Sequence, residues 1–528
     1  MITDTDRARA VRAGALRALG PGRHRFAARP LRISSVAAAL TVATAGMIAA
    51  EWNKMSPHLA IATCVQATAI SVVGVRLVSY YHSFLMHWRR YRHQGPVSTA
   101  ELREFDVPFL RLHVTTRGLF GSTEVILRGI RNVSALVAED PAFYRHLITV
   151  EICTESPRQA SLIRQYLSEV PEIVPVEVLV LPADYRTPAG TEKKARSLHY
   201  VAELRRSGWG RRPGRTFVVH YDEESVIEPA ELRKLLFRLA LTDKKVLEGP
   251  IYYPLEYLST SVLCRTMEAN RPIGCFECRS VMESGIPLHL HGSNLVVEEQ
   301  FENELGWDMG TLDGQPFIAE DYVFGVLAFL KGGREVFGWH GAVMLEQPPF
   351  SYRSAFKQRQ RWITGVLQGQ DMLLRMEGYW LLPRQVRTQL IWGTRFRVFS
   401  FAVGAPVGLM FLSYVVLGVA GVFPAAWDDG MASSLPVPLT AWLSVTGLMW
   451  LGAVFIGSWM NLAHANISRV GRMTEIGKAL TLAPLAGILE SVAGLWAVVL
   501  WLCGRREVSW QPTPKTRQAD QQMDWGHA

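Results

Sequence analysis

Three adjacent carboxylates end an apolar run in Val218-Val219-His220-Tyr221-Asp222-Glu223-Glu224-Ser225. Neighbouring acids repel one another and cost stability unless a cation compensates them. If the chain stays extended, Asp222 and Glu224 project to one side. Hard oxygen ligands in that pairing suit Mg2+ or Mn2+ bridged to a substrate diphosphate, although a solvated acidic turn would look the same. Glu320-Asp321 is a second acidic pair, preceded by Pro316-Phe317-Ile318 and followed by an apolar helical pattern over 322–330. Carboxylates in a first helical turn often serve the helix dipole; the functional alternative is a general base that takes a proton from an attacking hydroxyl. The third group is Gln358-Arg359-Gln360-Arg361-Trp362. Gln358, Arg361 and Trp362 stand three and four apart and share one helix face. A guanidinium fork beside an amide and an indole can grip a diphosphate leaving group and stack on a sugar ring.

These residues need a scaffold, and the block between the apolar segments supplies one. Short apolar or β-branched runs at 110–115, 147–153, 176–181 and 216–221 alternate with helical patterns at 195–205 and 230–241, the latter introduced by Pro229. That alternation is the signature of an α/β domain with a largely parallel sheet, in which ligands sit outside the carboxyl ends of the strands. After it, 351–370 is basic and aromatic together, and Tyr379, Trp380, Trp392 and Phe396 follow, a composition suited to the headgroup layer of a bilayer.

The chain has 528 residues and a formal charge of +9, too long for a single ordinary core. Apolar segments at 34–50, 401–422 and 437–462 hold no ionisable residue and approach or exceed the length of a membrane helix. Two weaker segments are 59–78, with Arg76 near its end where it can snorkel, and 480–502, with Pro484 and Glu490 inside. Glu490 needs a partner or a protein-lined setting. Arginines 7, 9, 12, 17, 23, 25, 29 and 32 precede the first segment, which predicts an amino terminus on the cytoplasmic side and an uncleaved anchor. The six cysteines form no disulfide framework. Cys275 and Cys278 make a C-x-x-C pair with only Cys264 and His289/His291 nearby, and read as small buried thiols rather than a zinc site.

The order Asp-x-Glu after a strand, Glu-Asp, then Q-x-x-R-W just before transmembrane helices resembles membrane-integrated, inverting family 2 glycosyltransferases, the group of cellulose, hyaluronan and chitin synthases. The resemblance covers roughly 105–400. Within that group the chain is most similar to egghead-type glucosylceramide β-1,4-mannosyltransferases. That similarity rests on Val114-Thr115-Thr116-Arg117-Gly118, Lys194-Ala195-Arg196-Ser197-Leu198, His220 to Ser225, His291-Gly292-Ser293-Asn294, Ala319-Glu320-Asp321-Tyr322 and Gln358 to Trp362.

The resemblance implies a GT-A (Rossmann-like) α/β catalytic domain in the cytoplasm with flanking transmembrane helices, in a multi-pass protein of the cell membrane. It divides the chain into a basic segment (1–32), two transmembrane helices (33–80), the catalytic domain (105–350), interfacial helices (351–396), a second transmembrane region (397–503) and a polar tail (504–528). The implied reaction moves a hexose from a UDP- or GDP-linked donor to a glycolipid or glycan at the bilayer, forming a β bond, with Mg2+ or Mn2+ as cofactor and no nucleic acid as partner. Thr116, Arg117 and Glu151 would lie near the nucleoside, Lys194 near the donor, and Asp222 and Glu224 at the metal and diphosphate. Asp321 would be the catalytic base, and Gln358, Arg361 and Trp362 would cover the donor. His291, Gly292, Ser293, Glu320 and Trp362 would face the acceptor, Gly292 permitting close approach.

The family often has aspartate where Glu151 and Glu224 stand, which lengthens both arms. Trp510-Gln511-Pro512-Thr513-Pro514-Lys515-Thr516 resembles a tail motif that relatives keep in the cytosol, whereas five full spans would put it outside. Basic residues on both flanks of 480–502 argue for the inside, and a segment broken at Pro484 that enters and leaves on one side would reconcile the count. A processive polysaccharide synthase is the alternative within the enzyme class. A transporter would line a path with intramembrane charges, and only Glu490 offers one; a non-catalytic module has no reason to keep three motifs in register.

Overall fold

The computed structural model describes residues 57–91, 95–118, 121–170, 174–286, 290–419, 437–506 and 513–522. The basic amino-terminal segment, the apolar run 34–50 and positions 510–512 of the tail motif lie outside the described residues.

The α/β domain is built on a seven-stranded sheet. Its strands are β1 (Phe109–Thr116), β2 (Ile148–Thr154), β3 (Val176–Val180), β4 (Thr216–Tyr221), β5 (Val246–Glu248), β6 (Leu295–Glu298) and β7 (Phe337–Trp339). Their order across the sheet is β7-β5-β6-β4-β1-β2-β3. All pairings are parallel except those of β6, which runs antiparallel to β4 and β5. The first four strands coincide with the expected runs to within about two residues at either end. They are legible because they are buried on both faces and so read as continuous apolar stretches: every residue of β2 and β4 is buried. The three later strands are three or four residues long, too short to stand out by periodicity.

The chain runs outward from β1 to β2 and β3, then returns to place β4 on the other side of β1. This reversal opens a crevice at the carboxyl ends of β1 and β4, where Thr116-Arg117 and Asp222-Glu223-Glu224 stand.

Helices carry the remaining motifs. They are α1 (Pro57–Tyr91), α2 (Lys193–Arg206), α3 (Arg271–Ser284), α4 (Glu320–Gly332), α5 (Tyr352–Arg375), α6 (Arg384–Ala402), α7 (Gly404–Val419), α8 (Val437–Ala463) and α9 (Arg469–Leu502). Helix α5 holds the Q-x-x-R-W residues against α4, where the acidic pair sits. The fit depends on Gly365, since a Cβ there would come within 2.5 Å of the Ala319 side chain.

Among the described residues, three helical stretches are long and apolar enough to cross a membrane: Cys64–Arg89, Ala441–Ala463 and Arg469–Leu502. The last corrects the expected break, because α9 runs unbroken through Pro484. Its flanks nonetheless both meet the α/β side of the molecule. Near its start Glu475 lies 2.6 Å from Arg265; just past its end Arg506 lies 3.1 Å from Asp371 of α5. Glu490, midway, finds the partners its position demanded, 3.0 Å from Arg271 and 3.5 Å from Arg359. Helix α9 thus lies along the catalytic domain as one continuous helix. Arg76 also departs from expectation. It does not snorkel outward but turns inward, donating to Ser400 Oγ at 3.2 Å.

Candidate active site

One cavity of about 470 Å3 gathers the carboxyl ends of β1 and β4, the starts of α2 and α4, one face of α5 and the inner faces of the apolar helices. Thr116, Arg117, Lys194, Asp222, Glu224, His291, Gly292, Ser293, Glu320, Asp321, Gln358, Arg361 and Trp362 all line it. Residues scattered over some 250 positions of sequence therefore converge on one volume.

Lys194 ties the two acidic groups together. Its Nζ lies 2.6 Å from Asp222 Oδ1 and 3.7 Å from Glu320 Oε1, and donates to the Gly292 carbonyl at 3.0 Å. Burial works against its charge, but Asp222 and Glu320 outweigh it and hold the ammonium above its usual range. Burial likewise opposes ionisation of Asp222, yet Lys194 and Lys515 keep its carboxyl below the usual range. The turn after β4 is set by Ser225, whose amide donates to the Asp222 carbonyl at 3.0 Å and whose Oγ accepts from the Asp222 amide at 3.1 Å.

Asp321 sits in the first turn of α4 but is not the N-cap, which is Ala319. Its Oδ1 accepts from the Tyr322 amide at 2.8 Å, leaving Oδ2 facing Gly292. A Cβ on Gly292 would stand 3.3 Å from that oxygen and 3.2 Å from Lys194 Nζ, so any side chain would crowd the space between carboxylate and lysine. Burial, reinforced by Glu320, raises the Asp321 carboxyl well above the ordinary carboxylate range. A base so tuned has the proton affinity that general base catalysis near neutral pH requires.

On α5, Arg361 and Trp362 line the cavity, and so does Arg359, between the glutamines. It is fully buried, paired with Glu268. Two guanidiniums pack on the Trp362 ring, Arg271 at 4.7 Å and Arg359 at 5.0 Å from its centroid.

Two residues that sequence reasoning did not place in the site complete it. Lys515, carried by the tail, bonds Glu224, while its carbonyl accepts from Gln347 Nε2 at 2.9 Å and Thr513 Oγ1 accepts from Arg361 at 3.2 Å. The tail motif was the available signal, but it spoke of sidedness only. Glu346 accepts from Ser225 Oγ at 3.2 Å and from Ser293 Oγ, and burial raises its carboxyl above the usual range. A lone Glu before Gln347-Pro348-Pro349 gave no sequence signal.

Glu151 is the one expected site residue that the structure leaves outside the cavity. It lies mid-strand in β2 rather than at the strand end, is completely buried, and is held by Arg111, Arg205 and His113. Burial opposes its charge, but Arg205 and the other two partners more than offset it and keep it ionised far below the usual range. It locks the sheet to α2 instead of meeting a nucleoside. Cys275 and Cys278 are free buried thiols, as expected; among the described residues no group of three or more His, Cys, Asp or Glu side chains is arranged to hold a metal.

Residues 217–502 match the family model described as "Glycosyl transferase family group 2". The matched stretch opens in β4 and closes at the end of α9, and includes Asp222, Glu320-Asp321 and the Q-x-x-R-W residues. The chain is similar to the beta-1,4-mannosyltransferase egh of Drosophila melanogaster, 26% identical over 268 residues that make up 49% of this chain and 52% of that one. It is also similar to the beta-1,4-mannosyltransferase bre-3 of Caenorhabditis briggsae, 26% identical over 201 residues, 36% of this chain and 41% of that one. The chain thus spans about half the length, or less, of the curated relatives it matches. Among solved structures it is similar to S. aureus TarS 1-349, with 12% identity and a TM-score of 0.32 over 75% of this chain and 92% of that one.

Proposed function

The chain belongs to glycosyl transferase family group 2, and from that premise we propose that it transfers a hexose from a UDP- or GDP-linked donor to a hydroxyl of a membrane-associated glycolipid or glycan, with inversion to a β bond. The observation that carries this reading is that Lys194 joins Asp222 to the Gly292 carbonyl while Asp321 Oδ2 faces Gly292 from the other side, in a cavity that continues between apolar helices. The relatives named as β-1,4-mannosyltransferases favour mannose as the sugar.

In this reading the acceptor hydroxyl attacks the anomeric carbon from the face opposite the diphosphate. Asp321 takes the hydroxyl proton as the new C–O bond forms, and the bond to the diphosphate breaks with its electron pair leaving on the phosphate oxygen. Lys194, Lys515 and Arg361 stand where they neutralise the charge that develops there. Trp362, packed against its arginines, borders the cavity where a sugar ring would bind.

Asp222 and Glu224 fit the divalent cation that the family resemblance implies. They are paired oxygen donors bordering the cavity, and they already draw two ammonium groups, Lys194 and Lys515. Mg2+ or Mn2+ held there would add Lewis-acid stabilisation of the leaving diphosphate. The orientation proposed is a multi-pass protein of the cell membrane with its catalytic domain in the cytoplasm, where nucleotide sugars are made. A processive synthase is the second reading, favoured by the continuation of the cavity among the apolar helices; product length separates the two.

The test is to offer purified enzyme in detergent a panel of nucleotide sugars with lipid-linked and free glycan acceptors, in Mn2+, Mg2+ or excess chelator. Acceptor-stimulated release of UDP or GDP, abolished by chelator and by Asp222→Ala, is expected. Release from no donor would overturn the transferase reading; full turnover in chelator would overturn only the metal.

A further inference from the structure

The part of the cavity nearest the apolar helices holds positive charge that sugar transfer itself does not use. Arg76 of α1 and Arg397 of α6 both line it, and their side chains are only 19% and 16% exposed. They share one carboxylate: Glu277 Oε2 lies 3.3 Å from Arg397 Nη2 and 4.0 Å from Arg76 Nε. Two guanidiniums against one carboxylate leave one positive charge over. Arg76 Nε and Arg397 Nη1 are buried and have no hydrogen-bond partner among the described residues. Arg271, close by, differs, since Glu268 and Glu490 balance it.

Holding an uncompensated guanidinium among apolar helices is costly, and its planar fork matches phosphate oxygens. The position relative to the base is defined by contacts. Arg397 Nη2 lies 3.7 Å from Cys278 Sγ, which lies 3.6 Å from His291 Nε2. The next residue is Gly292, which faces Asp321 and Lys194. Cys278, His291 and Gly292 therefore link the arginine pair to the reacting centre. On the far side the lining turns apolar, with Val407, Leu443 and Ile488.

Resting on the sugar-transfer reading, we propose that Arg76 and Arg397 bind a phosphate of the acceptor, which is then a sugar linked through phosphate to a lipid. The sugar spans the gap along His291 to Asp321, the phosphate sits between the two guanidiniums, and the hydrocarbon runs along Val407, Leu443 and Ile488.

Two acceptors that differ only in the phosphate test this: decyl phosphate-linked glucose and decyl glucoside, with the donor identified above. The phosphate-linked form is expected to show a KM lower by roughly ten- to hundredfold, the range of a charge-assisted hydrogen bond or two. Arg397→Gln and Arg76→Gln should each reduce that preference, and Arg397→Lys should retain part of it. Thermal stabilisation by the nucleotide diphosphate identifies variants that fold; if none does, the comparison of acceptors in the unaltered enzyme still decides. Millimolar inorganic phosphate should compete with the phosphate-linked acceptor alone. Equal KM for both acceptors overturns the proposal, as does inhibition by inorganic phosphate of both alike, which would assign the pair to the free ion. Transfer to neither acceptor by a protein that binds nucleotide would instead sink the underlying sugar-transfer reading, and this inference with it.

Discussion

At the scale of single residues the site assigns different protonation to neighbouring carboxylates. Asp222 is held ionised by two ammonium groups, whereas Asp321, buried beside Glu320, is pushed the other way. Divergent environments for like groups mark an acid–base assignment. Asp321→Asn is expected to lower kcat by about a hundredfold to ten-thousandfold, the usual contribution of positioned proton transfer, with donor KM little changed because the amide keeps the size of the carboxylate. Glu320→Gln removes a weaker partner of Lys194, 3.7 Å away, and should be milder. The sign of the pH dependence follows from the direction of the shift. A base is active when deprotonated, and a raised Asp321 loses its proton above the ordinary carboxylate value of about 4. So kcat/KM should climb with pH on a limb displaced upward from that value, and Glu320→Gln, by removing a like charge, should move the limb down. A limb at an ordinary carboxylate pKa, or an Asp321→Asn enzyme with most of its turnover, would show the base to be misassigned.

At the scale of elements, Glu151 teaches what its sequence position concealed. An acidic residue near a strand end looks like a ligand-binding group, and only the register reveals that its side chain enters the layer beneath α2, facing Arg205. Removing one partner of a buried ion pair costs about 3 to 5 kcal/mol, so Glu151→Ala should lower Tm markedly while the folded fraction keeps its donor KM. Because folding depresses the Glu151 pKa, its contribution is present above the unfolded value of about 4.3 and lost as pH falls through the folded one. The variant should therefore be less acid-sensitive than its parent; a rise in donor KM without loss of stability would restore the nucleoside role. The same logic explains what else was legible. The four long strands and the helices flanking them announce themselves through burial and spacing that are local in sequence. The motif residues do so through local chemistry, so thirteen of them could be placed in one cavity. Glu346, Lys515 and the Arg76–Arg397 pair could not be found this way. Each gains its meaning from a partner more than a hundred residues distant, such as Glu224 for Lys515.

At the scale of the whole molecule, the path of α9 bears on sidedness. By length and composition it could cross a bilayer, and charge counting left its path open. Its contacts tie it to the catalytic domain at two places: Arg265 pairs with its first half and Asp371 with its carboxyl-terminal flank. The tail beyond it returns to the site, with Ser351 donating to Asp520 Oδ1 at 3.0 Å and Lys515 reaching Glu224. With both flanks tied to one domain, the expectation for this helix of 34 residues, about 50 Å long, is that its two ends lie on the same side of the membrane. Cys503, exposed immediately after α9, is a native reporter of this arrangement. In a variant keeping it as the sole cysteine, a membrane-impermeant maleimide added to intact cells should leave it unlabelled, and permeabilisation should expose it. A probe cysteine in the surface helix bearing Arg158 should behave identically. Labelling of Cys503 but not of position 158 in intact cells would place the tail across the membrane from the catalytic domain, and the Lys515 contact with Glu224 could then not form.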